Sequence, residues 1–193
     1  MTAVIADVSM SLDGFSAGTN DGPANPMGDG GMALHEWFFA PANAPDANVI
    51  RTYQARIGAV ILGKRMFENG LRAWDGGNPW GVPAFVLAHE HRKPLSKNGD
   101  TLFTFVDEGI ESALDRATAA AGERDVAIAG GAATIQQVIA AGRLDEIQVH
   151  IVPLLLGSGI RLFEHGGVGS GDIQPVQVVA SPRVTHIRYL IAR

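Results

Sequence analysis

A three-layer α/β/α fold with a mostly parallel central sheet is predicted by three features of this 193-residue sequence. Short apolar runs of strand length alternate with segments of helical periodicity through most of the chain. Glycines, 24 in all, gather where these elements meet. Strands then succeed one another directly at the C-terminal end, which predicts an antiparallel hairpin there.

Each element has its own signal. Residues 3–9 are an apolar run closed by the turn-like SLDG, and they predict a first strand. The segment from Phe15 to Pro45 is rich in Gly, Pro, Asn and Asp in its first half. Loops of that length are often lids or binding loops, and a disordered surface insertion is the alternative. LHEWFF (34–39) speaks against complete disorder, because its aromatics would otherwise stand in water. Asp46 is the expected N-cap of a first helix, with Val49, Ile50, Tyr53 and Ile57 at helical spacing and Gly58 as its stop. AVILG (59–63), PAFVLA (83–88) and TLFTFV (101–106) read as buried strands. Ile110, Leu114, Ala117 and Ala121 mark a second helix ended by Gly122. DVAIAGG (125–131) is a strand running into a diglycine, and Ile135, Val138 and Ile139 mark a third helix ended by Gly142. EIQVHIVPLLL, VQVVAS and VTHIRYLIA are the last strands, the final two joined at Ser181-Pro182. With no repeat or linker, residues 1–193 are expected to form a single domain.

Composition narrows the function classes. A net charge of −5 without a Lys/Arg cluster argues against a nucleic-acid partner. The absence of cysteine removes disulfides and thiolate metal sites. No run approaches the roughly 18 apolar residues of a membrane span. MTAVIADVSM has no leading basic cluster and carries Asp7 inside its apolar run, so a strand is expected rather than a secretion signal. A cytoplasmic location is therefore expected.

Open α/β sheets bind ligands at the carboxyl ends of their strands, so the residues just past each strand matter most. After 59–63 stands GKRMFE, where Gly63 permits a sharp turn and Lys64 and Arg65 arrive at a helix start. Backbone N–H groups and two cations there suit a phosphate, although a solvated basic pair would look the same. After 125–129 stands GGAAT, in which two glycines allow close approach and a helix N-terminus adds its dipole. A strand–helix packing turn is the alternative. After 83–88 stands HEHRKP: His89, His91, Arg92 and Lys93 could meet a ribose 2′-phosphate, while Glu90 favours a free hydroxyl. HGGVGSGD (165–172) has no helix after it and reads as a strand connection. The six histidines show no metal-binding spacing, and His150 and His186 are expected to be structural.

SLDG after the first strand, VILGKRMFE, VAIAGGAATIQQVIAAG and LDEIQVHIVPLLLGSGIRLFE together resemble, in order, the dihydrofolate-reductase-like superfamily. The similarity is to its branch of RibD C-terminal type, the pyrimidine reductase domain of riboflavin biosynthesis. That resemblance implies an NADPH site shared by Gly63, Lys64, Arg65 and Met66, by Leu87, Ala88 and His89, and by Gly130, Gly131, Ala132, Ala133 and Thr134. It implies that Ser9 to Gly14 line the nicotinamide, with Asp13 near the reacting ring as the catalytic candidate. The 15–45 segment would be the mobile active-site loop, bringing Glu36 and Trp37 to the substrate. A homodimer through the C-terminal strands is implied as well. The acid of a true folate reductase has no secure counterpart; Asp13, Glu36 and Asp46 remain open. The expected activity is NADPH-dependent reduction of a pterin, aminopyrimidine or related small heterocycle. A silent NADP(H)-binding protein of the same fold, or an interaction module with merely structural glycines, stands as an alternative.

Overall fold

The chain runs through β1 (Val4–Ser11), β2 (Phe15–Ala17), a 3-10 turn (Gly31–His35), α1 (Glu36–Phe39), α2 (Ala44–Arg56), β3 (Ile57–Gly63) and α3 (Lys64–Gly70). It continues through β4 (Ala84–Leu87), β5 (Leu95–Lys97), β6 (Asp100–Val106), α4 (Ile110–Ala121), β7 (Asp125–Gly130) and α5 (Ala132–Ala140). It ends with β8 (Glu146–Val152), β9 (Ile160–Arg161), β10 (Ile173–Ala180) and β11 (Thr185–Ile191). This computed structural model describes residues 2–98, 100–164 and 173–192; the 165–172 connection lies outside them.

Nine strands form one sheet in the order β10-β11-β8-β1-β7-β3-β4-β6-β5. The six from β8 to β6 are parallel neighbours, while β11 and β10 add antiparallel pairs at one edge and β5 at the other. β2 and β9 pair separately. The predicted α/β fold with its antiparallel C-terminal hairpin is therefore present.

Burial explains the layers. β3, IGAVILG, is buried along all but its last residue, as a central parallel strand covered on both faces must be. Ala59 and Ile61 join one core with Ala113, Leu114 and Ala117 of α4 and Ile135 and Val138 of α5. Val60 and Leu62 point the other way, toward Phe67 of α3 and Phe103. A third cluster joins Leu34, Trp37, Val152 and Val184. Each Val, Leu, Ile or Phe among them contributes about 1.5–3 kcal/mol by leaving water. Among the described residues, no helix is long and apolar enough to cross a membrane.

Several boundaries differ from expectation. The N-cap of α2 is Asn43, not Asp46: Asn43 Oδ1 accepts from the Asp46 N–H at 2.9 Å, and the Asp46 side chain is buried. Gly58 does not stop that helix. The helix ends at Arg56, Ile57 is already in β3, and Gly58 meets the Ala121 backbone closely enough that a Cβ would stand 2.5 Å from its carbonyl oxygen. β1 runs two residues further than expected, to Ser11. The 15–45 segment is built rather than structureless, because Leu34 and Trp37 are buried in the third cluster. Gly122 and Gly142, the expected helix stops, have φ of +64° and +63°.

Candidate functional site

Parallel pairing brings the sequence-predicted segments to one edge of the sheet. Leu62 is in register with Gly130, and Gly63 with Leu87, so the ends of β7, β3 and β4 lie side by side. The two glycine turns touch: a Cβ on Gly63 would stand 2.6 Å from Thr134 Oγ1, and one on Gly130 would stand 3.2 Å from Met66 Sδ. Gly130 has φ +129°, and the Gly130–Gly131 peptide is cis. Gly131 differs from both. A Cβ there would meet nothing within 4 Å, so this glycine faces open space at the start of α5. Helix geometry leaves the Ala132 and Ala133 N–H groups without an intrahelical acceptor. The backbone bonding of this turn starts at Thr134, whose N–H donates to the Gly131 carbonyl at 2.9 Å.

Lys64, Arg65 and Arg92 have carboxylate partners, as does His91. Arg65 donates through Nε to Asp21 Oδ2 at 2.8 Å and through Nη2 to Asp21 Oδ1. Buried Asn69 adds a bond to Asp21 at 2.8 Å. Lys64 Nζ lies 3.6 Å from Glu90 and 4.0 Å from Glu68. Arg92 reaches Glu68 at 3.4 Å and stacks over Phe105, and His91 faces Asp107 at 3.5 Å. Leu87 and Ala88 are buried, whereas His89 is exposed. An anion that reaches Lys64, Arg65 or Arg92 must exchange for a carboxylate.

On β1, alternation turns Asp7, Ser9 and Ser11 to one face. Ser9 Oγ accepts from the Trp37 indole N–H at 3.1 Å, and both residues are buried. Trp37 is thus part of the wall, while Glu36 is exposed on α1. Asp13 accepts from the Leu156 and Gly157 N–H groups at 3.1 and 2.7 Å. The Ser11 hydroxyl and those backbone donors hold its carboxyl below the ordinary aspartate value, against a smaller opposing effect of desolvation. Gly14 turns there with φ +88°. For Asp46, burial pushes the carboxyl up, but bonds from His186, Ser181 and Asn43 prevail and lower it. Two of the three candidate acids are therefore held ionised.

The geometry adds residues that sequence reasoning did not assign. Asp21 clasps Arg65 across 44 positions. Half-buried Asp7 joins His150 and His186, expected to be structural, and the candidate acid Asp46 in a hydrogen-bonded chain that the sequence did not show. The polar residues Asp7, His150 and His186 inside apolar strand patterns were the available signal for the chain; none marked Asp21.

Among solved structures, the chain is similar to a protein ascribed to riboflavin biosynthesis in Shewanella sp. PV-4, at 22% identity and TM-score 0.76, with 100% of both chains covered. It is similar to a pyrimidine reductase-like protein from Corynebacterium diphtheriae, at 14% identity and TM-score 0.64, covering 100% of this chain and 92% of that one. A dihydrofolate reductase from Enterococcus faecalis, complexed with NADP(H), matches at 14% identity and TM-score 0.60, covering 99% and 97%. These likenesses establish the dihydrofolate-reductase-like fold. A search of curated protein sequences finds no match. Residues 2–187 match the family described as the RibD C-terminal domain, and the chain belongs to that family.

Proposed function

We propose that the protein is an NADPH-dependent reductase of a pterin, aminopyrimidine or related small heterocycle, working as one domain in the cytoplasm. The observation that carries this is the open face of Gly131 at the start of α5, beside Gly63. A cradle with no Cβ, two free amides and cations at its rim fits a pyrophosphate. Membership of the RibD C-terminal family supports the same reading.

Bound NADPH would supply a hydride to a C=N or C=O carbon. The protein's share is placement. Gly131, Ala132 and Ala133 would hold the pyrophosphate, with Gly130 and Thr134 shaping the turn. Lys64 and Arg65 would hold charge, and Leu87, Ala88 and His89 would flank the adenosine end. Ser9 and Gly14 would bound the nicotinamide, and Glu36 and Trp37 the substrate. Asp13, ionised and bonded to Leu156 and Gly157, would act by fixing the turn beneath the ring. This favours a proton arriving through water. It also leaves room for a second reading, an NADP(H)-binding protein without turnover. Heterocycle-dependent NADPH oxidation separates the two.

A homodimer through the edge hairpin is part of the proposal, because Ile173, Val176, Val178 and Leu190 are exposed there. Sedimentation as a monomer at micromolar concentration would remove it.

The first test is fluorescence titration with NADPH and, separately, NADH. Saturable NADPH binding is expected, and binding of neither would overturn the cofactor assignment. Arg65→Ala tests the rim. Because Arg65 must release Asp21 to meet a phosphate, the exchange returns less than a full charge-assisted bond, and we expect a loss of about 1 kcal/mol. Unchanged affinity would take Arg65 out of the site.

A further inference from the structure

Four titratable side chains form one unbroken chain under α2. His150 Nε2 faces Asp7 Oδ2 at 3.1 Å, His150 Nδ1 faces His186 Nδ1 at 2.7 Å, and His186 Nε2 faces Asp46 Oδ1 at 3.1 Å. The two histidines are direct cross-strand partners on β8 and β11. They are 1% and 3% exposed, Asp46 is 0% exposed, and Trp37 lies 4.4 and 4.8 Å from the two imidazole rings.

Counting protons decides the state of this chain. Three gaps need three hydrogens. Two ionised carboxylates and two neutral imidazoles supply two, since a neutral imidazole donates from one nitrogen only. If each ring turns its hydrogen toward its carboxylate, two bare Nδ1 lone pairs face each other at 2.7 Å. If one ring turns its hydrogen inward, its own Nε2 lone pair faces a carboxylate. Either way a buried contact is repulsive, and a low-dielectric site magnifies the cost. Two extra protons fail equally, because both Nδ1 atoms would then be donors.

We infer that Asp7, His150, His186 and Asp46 form a proton-binding site that holds one proton, and only one, at neutral and mildly alkaline pH, shared between the two Nδ1 atoms. The surroundings favour retention. From α2, Tyr53 presents a phenol that burial and Asp7 push up, and Asn43 at its cap donates to Asp46. Arg56 is committed to Asp125 and Glu146, and Arg188 of β11 to Glu146. On β8, Gln148 donates to Asp7. From the 3-10 turn, His35 is driven toward its neutral form by burial and, less strongly, by His150. Two carboxylates thus surround the shared proton with no free cation against it among these groups. Burial, then the nearness of His150, lower His186 against the pull of Asp46.

The site staples α2 and, through Trp37, α1 to the sheet. In the unfolded chain two ordinary imidazoles, near pH 6.5, hold two protons in acid and none in alkali. The folded chain then binds fewer protons below that pH and more above it. Stability from this site should peak near pH 6.5 and fall on both sides, by up to about tenfold in the folding constant per pH unit.

Asp46→Asn is the discriminating variant. Its amide can donate to His186 Nε2, His186 Nδ1–H to His150 Nδ1, and His150 Nε2–H to Asp7. All three bonds then form without an extra proton. The test is the long-range 1H–15N spectrum of the histidine rings at pH 8, in the full chain and in Asp46→Asn, with denaturation from pH 6.5 to 8.5. The native chain should show both Nδ1 signals averaged between protonated and bare positions. The variant should show two fixed neutral tautomers and lose the alkaline decline. Two neutral rings, or two fully protonated rings, in the native protein would overturn the inference. So would an equal alkaline slope in a folded variant; if the variant does not fold, the native spectrum alone decides.

Discussion

Replacing Gly131 by valine is expected to lower NADPH affinity about 100-fold while moving the thermal midpoint by no more than about 2 °C. The two halves of that expectation come from separate facts. Gly131 has φ −80°, which valine adopts freely, and its Cβ would enter open space rather than protein. Beyond the two adjacent residues, the surrounding protein therefore offers the side chain no obstacle. The same open space is where a pyrophosphate would approach the Ala132 and Ala133 amides, and a branched side chain there would hold it off. Hydrogen bonds to a charged group are worth about 1.5–3 kcal/mol each, so losing even two weakens binding by at least that factor. Titration and thermal melting of the same sample check both halves. A folded variant that binds normally would move the cofactor elsewhere. A variant that fails to fold would make the diglycine a packing device, as Gly63 is, where a Cβ would collide with Thr134.

The difference between these glycines shows what the sequence can and cannot convey. That glycines would stand at the ends of β3 and β7 was legible, because strand periodicity stops there. Which of them makes room for the chain itself and which for a ligand was not, since that depends on the register that places Gly63 beside Thr134. The same holds for charge. Lys64 and Arg65 read as a phosphate grip by type and position, but Asp21, far away in a loop without periodicity, already occupies Arg65. Asp46 is a third case. Its type suits a helix cap, yet Asn43 three residues earlier takes that task, and Asp46 turns inward to His186. Short polar side chains near a helix start compete for one role, and tertiary contacts choose between them. The parallel strands and their helices were readable because burial on both faces leaves a strong pattern. The 15–45 segment was legible only in part: LHEWFF spoke against disorder, but not for the packing of Leu34 and Trp37 on Val152 and Val184.

Arg56→Met is expected to cost about 2–4 kcal/mol of folding stability without changing cofactor binding. Arg56 is the last residue of α2, where a cation also complements the helix dipole. Its Nε donates to Asp125 at 2.8 Å, and its Nη1 and Nη2 donate to Glu146 at 2.7 and 3.3 Å. One side chain thus ties α2 to the starts of β7 and β8. Burial opposes its charge, but the bonds it donates to Glu146 and Asp125 prevail and raise its pKa. Methionine keeps the aliphatic bulk and removes the partner, leaving Glu146 buried with Arg188 at 3.4 Å as its ion-pair partner among the described residues and Asp125 with the Ala3 N–H. A buried Glu146 reduced to one longer ion pair is the large term; the 29% exposure of the Arg56 side chain keeps the loss below that of a fully enclosed pair. For a chain of this length the midpoint should fall by about 5–15 °C. Asp125 and Glu146 open β7 and β8 at the amino ends of the strands, opposite Gly131, so NADPH affinity should stay the same. Urea denaturation and the NADPH titration decide it together. A loss under about 1 kcal/mol would reduce this ion pair to an ordinary screened surface contact.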